Sequence, residues 1–548
     1  MMRGEKNVAL GAVTAALVPL VFLPLAFVFA MAFVPGSGSK GLSPMAFIAE
    51  HAPIVLNSLR LGFWVVVLAS LISFPLAFLL TRTEFVRRSW LDILLLVPFM
   101  TPPYISSMGW ILFMQPRGLL NQLAPFTKGW DAAFFGFPGL ALVMTLNVFP
   151  FMVKILANAL SNIGRNLEEA AAVFGAGPFT RLTRVTLPLL VGNYAIGALM
   201  VFVKTLSEYG TPATLGKRIG YEVFTSRIHF NATMAPIDFG QAALLSSILT
   251  GICLSLWLIQ SVVTKRASYA LIGGKGAGGA VRPLSRPVAA LAWAYVGLIL
   301  LVSIGVPYFS VIVTSLIKIR GFGLRPGNFS LVNYVALFTQ NPKGRDALAT
   351  SFGLGLVAAS IAAFLGTVAA FAAHKARVRL KAVVDFLGVL PEMVPNIVMV
   401  IGLSLFWNML AGVIPVYNST AMLIVAYVAM FLPFTVQYVK SALTQVNDGL
   451  IQAGRVFGGT PAYVIRRILL PLTLNGIIAG WTMTFIISFR ELVASSIVSP
   501  PGVITVSTFI MREFEQGSVP VGMCMAVICV LFTTGVLLAV DGIKKNSK

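Results

Sequence analysis

The chain is 548 residues long, 57% hydrophobic and only 11% charged, with a formal net charge of +22 and a mean hydropathy of +0.89. Soluble domains carry about a quarter of charged residues, so this composition excludes a soluble globular protein and points to an all-α polytopic membrane protein. Cys253, Cys524 and Cys529 lie in apolar runs without metal-ligand spacing, and His51, His229 and His374 stand singly, which excludes a disulfide framework and a zinc site.

Apolar runs of ~20 residues are needed to cross a hydrocarbon layer of about 30 Å. In chain order such runs fall near residues 8–34, 53–80, 91–114, 138–160, 189–215 and 240–263. After a Gly-rich basic linker, Lys265 to Pro287, they fall near 288–317, 347–373, 384–410, 420–443, 472–498 and 520–541. About twelve crossings are expected. The first run has no small-residue cleavage site and reads as a retained span rather than a signal peptide.

Charge orients these spans. Most Lys and Arg residues lie in the short segments Met1 to Lys6, Arg82 to Arg88, Arg165 to Arg184, Lys265 to Arg286, Lys375 to Lys381, Arg455 to Arg467 and Lys544 to Lys548. The positive-inside rule puts these segments, and both termini, in the cytoplasm. Lys318, Arg320, Arg325, Lys343 and Arg345 would then lie outside, in a longer loop where the rule weakens. The net charge thus reads as membrane topology and not as nucleic-acid binding, since the aromatics sit in apolar spans.

The chain repeats itself. With a shift of 293, Asn57-Ser58 aligns with Thr350-Ser351, Gly62 with Gly355, Asp92 with Asp385, Pro98 with Pro391, Pro102 with Pro395 and Gly109 with Gly402. Further on the shift becomes 283, aligning Pro150 with Pro433, Phe174 with Phe457 and Glu208 with Glu491, which places ten additional residues between about Gln115 and Phe137. Each half is one copy of a six-span unit. Because six is even, the copies are parallel repeats with a pathway between them. The expected domains are residues 1–264 and 288–548, joined by a cytoplasmic linker at 265–287.

One stretch recurs in most detail. Leu167 to Pro188 matches Leu450 to Pro471: a small-residue cluster, Phe-Gly at 174–175 or 457–458, Pro178 or Pro461, a basic turn, and Leu-Pro. It reads as two short helices broken at a Gly that needs φ > 0, lying along a membrane surface with Arg181, Arg184, Arg466 and Arg467 near the headgroups. Glu168, Glu169, Ala170, Ala171 and Gly175 in the first copy, and Gln452, Ala453, Gly454 and Gly458 in the second, resemble the coupling motif of ABC importer permeases. The second copy departs from it at Gln452 and Gly454. With the duplication, nearly the whole chain is similar to type I ABC importer permeases fused into one polypeptide, above all those for iron(III), and less closely those for thiamine, phosphonates or sugar phosphates.

That resemblance implies the transmembrane subunit of an importer in a bacterial inner membrane. Its implied partners are the lipid bilayer, two cytoplasmic ABC ATPase subunits, and a periplasmic or lipid-anchored substrate-binding protein. The chain has no G-x-x-x-x-G-K-[ST] phosphate loop, so it is expected not to be an enzyme and to bind no cofactor, with ATP and Mg on the partner subunits. A secondary transporter of duplicated fold is the alternative, but it leaves the paired motif unexplained.

Charges and prolines inside the spans are candidates for the pathway. Glu208 lies ~16 residues into its span, about 24 Å from the inner surface at 1.5 Å per residue, and Glu491 is its counterpart. Lys204 and Arg490 stand close enough in sequence to neutralise them, so the carboxylates read either as pathway lining or as interhelical ion pairs. Lys154, Lys440 and Glu392 are weaker candidates. Pro102 and Pro395 interrupt corresponding spans, and a helix broken at matching places often borders a transport route.

Overall fold

A computed structural model describes residues 3–32, 44–163, 165–268, 283–374 and 379–546. The middle of the expected linker, at 269–282, and parts of the basic segments at 1–2, 375–378 and 547–548 lie outside them. Every regular element among the described residues is a helix, and the segments between them are turns and loops that include an isolated bridge between Ile317 and Phe329.

Among the described residues ten helices are long and apolar enough to cross a membrane: α1 Val8–Ala32, α2 Ala49–Arg82, α3 Phe137–Asn162, α4 Phe179–Ser207, α5 Phe239–Thr264, α6 Arg286–Leu316, α7 Pro342–Ala373, α8 Thr420–Thr444, α9 Pro461–Phe489 and α10 Val519–Val540. Five belong to each sequence half. The two remaining runs, 91–114 and 384–410, are not continuous helices. The first bends by 89° between Trp90–Met100 and Pro103–Leu123; the second divides into Arg379–Leu387, Leu390–Met393 and Asn396–Met409. The cause is local in both. Pro102 (φ −55°, ψ 127°) and Pro395 (φ −56°, ψ 135°) are extended and stand immediately before a new helix, where a residue without an N–H costs nothing.

The chain forms two compact units that do not follow its sequence halves. One comprises residues 44–227 and 251–329, the other residues 1–43, 228–250 and 330–548. In the first unit α2, α3 and α4 pack together; in the second, α7, α8 and α9 do. The buried side of α7 is nearly all small, with Ala358, Ala359, Ala362, Ala363, Gly366, Ala369 and Ala370, so neighbouring backbones approach closely. Close van der Waals packing of this kind is what associates helices where lipid is as apolar as protein.

The first helix of each half packs with the other half's sequence. In the first unit, α6 lies on helix Pro103–Met114: a Cβ at Gly109 would stand 2.6 Å from the Pro307 carbonyl oxygen, and the Thr101 and Tyr308 hydroxyls are 2.7 Å apart. In the second unit, α1 lies on helix Asn396–Met409: a Cβ at Gly402 would stand 2.6 Å from the Pro24 carbonyl oxygen, and Phe27 meets Phe406 edge-on. Gly109 and Gly402 recur because each is the only residue that lets the exchanged helix approach so closely.

Candidate functional sites in the two halves

The recurring surface stretch is two short helices separated by a glycine turn in both copies. Helix Arg165–Val173 ends at Gly175, with φ +80°, and helix Asp448–Val456 ends at Gly458, also with φ +80°. The hydrogen bonds match one for one. Gly175 N–H donates to the Ala172 carbonyl at 3.0 Å and Ala176 N–H to that of Ala171 at 2.9 Å; Gly458 N–H donates to Arg455 at 3.0 Å and Gly459 N–H to Gly454 at 2.9 Å. This is the Schellman arrangement, which satisfies the last carbonyls of a helix and places a left-handed residue at the turn. The expectation of φ > 0 at Gly175 and Gly458 is met.

The turn throws apolar residues outward. Phe174 is 90% exposed and Phe457 89%, and Val173 and Val456 beside them are also exposed. Glu169, Ala170, Gln452 and Ala453 share this open surface, while Ala171 and Gly454 are half-buried beneath it; Glu168 lies on the same short helix. A Cβ at Gly454 would stand 2.5 Å from the Ile468 Cδ1 atom, the free end of a side chain that can turn aside, so packing does not by itself demand glycine there. Beside the second copy is a cavity of about 240 Å³ lined by apolar side chains, Ile451 and Val464 among them, and by Asp448, Gln452, Arg455 and His374.

At the other end of α4 and α9 lies a second matched feature. The runs 189–215 and 472–498, expected as single spans, end as helices at Ser207 and Phe489, and the carboxylates follow at once. Both oxygens of Glu208 accept the Thr211 N–H, each at 3.1 Å. Glu491 accepts the N–H groups of Val493 at 2.6 Å, Ala494 at 2.9 Å and Ser495 at 3.2 Å, capping helix Val493–Val498. A carboxylate at a helix N-terminus satisfies orphan donors and suits the helix dipole. This is a third use of these residues, beside the pathway and ion-pair readings. Lys204 has its Nζ 5.8 Å from the Phe151 ring centre, and Arg490 closes α9.

Each capped break is tied down in the same way. The Thr225 hydroxyl donates to the Glu208 carbonyl at 2.8 Å and the Ser507 hydroxyl to that of Glu491. The Phe224 and Val506 N–H groups donate to the hydroxyls of Ser58 and Ser351, at 3.0 and 2.8 Å. The alignment of Ser58 with Ser351 therefore reflects a shared cap.

Both units bring their capped break against their proline-broken span. A Cβ at Gly210 would lie 2.9 Å from the Tyr104 nitrogen, and Thr214 donates to Ser107 at 2.8 Å. Helix Val493–Val498 packs on Asn396–Met409, and also on α8, where the Ser495 and Tyr427 hydroxyls are 2.8 Å apart. The break after Glu208 thus lies against the helix that follows Pro102, and the break after Glu491 against the helix that follows Pro395. Glu392 is apart from them, exposed and accepting from the Gln437 amide. Lys154 and Lys440 pair with Asp92 at 3.2 Å and Asp385 at 2.6 Å, half-exposed contacts of about 0–1 kcal/mol each. Sequence reading did not single out Thr101, Ser107, Thr214, Tyr308, Tyr427 or Ser495, since a lone hydroxyl in an apolar run carries no pattern.

The comparison with protein families decides what this doubled arrangement is. The model for the binding-protein-dependent transport system inner membrane component matches the chain twice, at residues 73–269 and 362–547, and each match contains one surface turn and one capped break. The chain belongs to that family. The permease is therefore the membrane component of an ABC importer and not its catalytic subunit, and its family depends on a binding protein and an ATPase. It is 24% identical to the Fe(3+)-transport system permease protein FbpB 2 of Haemophilus influenzae, over 94% of this chain and 95% of that one. It is 24% identical to the putative ferric transport system permease protein FbpB 1 of the same organism, over 89% of this chain and 77% of the other. The ferric transport system permease protein FbpB of Actinobacillus pleuropneumoniae is 23% identical, over 100% of this chain and 80% of its own.

Proposed function

We propose that this permease carries iron(III), delivered by an extracytoplasmic binding protein, into the cytoplasm. The two exposed Schellman turns carry the coupling part of this reading. Glu168, Glu169, Ala170, Ala171 and Gly175, and Gln452, Ala453, Gly454 and Gly458, form two docking elements for two ATPase subunits that hold ATP and Mg. Phe174 and Phe457, almost fully exposed at the two turns, are the anchors such docking needs. This sets the turns, and with them both termini, on the cytoplasmic side of a twelve-crossing bundle of two parallel six-helix repeats in which each proline-broken run crosses with its partner segments. Glu208, Glu491, Pro102, Pro395 and Arg490 border the pathway at the opposite side, where a capped break beside a broken span supplies a hinge; Glu392 lies along the same route.

Iron(III) rests on the three relatives named for ferric transport, which align with the chain over 89% or more of its length. Among the described residues no group of three or more His, Cys, Asp or Glu side chains converges, so selection of the metal is assigned to the binding protein. The test is uptake of radioactive iron(III) by proteoliposomes holding the permease, its ATPase and its binding protein. ATP-dependent iron accumulation is expected, uncompeted by thiamine, a phosphonate or a sugar phosphate; transport of one of these in place of iron would replace the substrate and keep the importer.

A further inference from the structure

The ten residues that the first half has and the second lacks are built into a platform. Residues 115–136 fold as Leu119–Leu123, Pro125–Thr127 and Trp130–Phe134, three short helical turns. They are joined to the loop after α6. The Arg320 Nη2 atom donates to the Gln115 Oε1 at 2.9 Å, and the Leu324 N–H donates to the Gln122 Oε1 at 2.8 Å. The Gln122 amide in turn donates to the Arg117 carbonyl at 2.9 Å, holding a non-glycine residue at φ +58°. Asn328 pins the other loop by donating to the carbonyls of Gly323 and Ile319, at 2.8 and 2.9 Å.

This platform is exposed, cationic and aromatic. Arg117, Lys128, Lys318, Arg320 and Arg325 are all exposed on it. The acidic residue in these two segments is Asp131, which accepts the Gly129 N–H at 3.1 Å. Phe126, 80% exposed, and Trp130, 56% exposed, meet edge-on at 6.4 Å between ring centres. In the second half, the corresponding loop between Leu410 and Ser419 contains no charged residue at all.

Position decides the side. Helix α3 begins at Phe137, directly after the platform, and ends at Asn162, directly before the first surface turn. Its 26 residues span about 39 Å at 1.5 Å per residue, so platform and turn lie on opposite membrane faces. Given the proposed orientation of the turns, five cations stand outside, against the bias that places Lys and Arg in the cytoplasm. We propose that the platform is the docking surface for the binding protein, and that the partner presents an acidic face to it. The inference rests on the importer reading above. Charge complementarity of this kind steers encounter and fixes register, and a pair of exposed aromatics supplies the anchor. Because the 410–419 loop is uncharged, electrostatic capture is assigned to this platform, which the first unit builds from residues of both sequence halves.

The probe is the transporter's own binding protein, titrated against the full permease–ATPase complex in nanodiscs, with ATP hydrolysis as readout. Lys128→Glu with Arg325→Glu raises the concentration for half-maximal stimulation about tenfold at roughly 50 mM salt, and the gap closes at roughly 500 mM, where the Debye length falls well below 10 Å. Hydrolysis without binding protein stays unchanged. Wild-type stimulation with an equal response from the double variant at both salts overturns the platform while leaving the importer reading intact. A loss that persists at high salt overturns the electrostatic argument. A loss that disappears in purely phosphatidylcholine nanodiscs makes anionic lipid headgroups the occupant instead. If the wild type is not stimulated at all, the importer reading fails and the platform with it.

Discussion

The two surface turns have the same backbone and different chemistry. At the first, Glu169 faces outward; at the second the neutral Gln452 stands on the rim of a cavity. Gly177 precedes the second short helix in one copy, while in the other Thr460 caps it by accepting the Tyr463 N–H at 3.3 Å. What the copies share is a left-handed glycine, two carbonyl-satisfying hydrogen bonds and a phenylalanine thrust outward. In the docking proposed for these turns, shape is therefore offered twice and charge once. The capped breaks differ in the same manner: one carboxylate, one turn, but the N–H groups of Thr211 and Gly210 at Glu208 against those of Val493, Ala494 and Ser495 at Glu491.

The sharpest way to break the comparison is at the shared glycines. A Cβ at Gly175 or Gly458 meets nothing within 4 Å, so the effect of Gly175→Val and Gly458→Val comes from the backbone, where a β-branched residue in the left-handed region costs upwards of ~1–2 kcal/mol. Both variants should reach the membrane in normal amount and lose most binding-protein-stimulated ATP hydrolysis and uptake. Full activity in both would mean that the turn is not the coupling contact.

The carboxylates separate the halves more finely. Removing a cap costs about 0.5–2 kcal/mol, and a buried set of donors lies at the top of that range. Glu491→Ala should thus lower the thermal midpoint of the detergent-solubilised permease more than Glu208→Ala does. Glu→Gln at either position should recover part of the loss, because the amide oxygen still accepts. An equal midpoint for all four variants and wild type would assign both residues to the pathway and not to capping.

The smallest effect belongs to charge at the surface turns. Glu169→Gln should weaken ATPase binding about two- to fivefold at low ionic strength, as expected of a terminal charge near an exposed helix end, and the difference should vanish in high salt. Gln452→Glu should bind as well as wild type or slightly better. A titration showing no change for Glu169→Gln at low salt would leave shape as the sole basis of docking at both turns.

Much of this was readable in the residues themselves. The surface turns, their φ > 0 glycines and ten of the twelve runs follow from hydropathy and short-range backbone preference, which act within a few residues of chain. The end of the helix at Ser207 and Phe489 was not readable, because it depends on a carboxylate competing with the helix for backbone N–H groups, and an isolated Glu in an apolar run carries no sign of that. Nor was the exchange of α1 and α6 between sequence halves, or the reason for Gly109 and Gly402. Lipid and protein interior are equally apolar, so a span's composition says that it is in the membrane and not which helix it packs against. That choice is made by the fit of one backbone against another, Gly109 under Pro307 and Gly402 under Pro24, and it exists only once the helices are assembled.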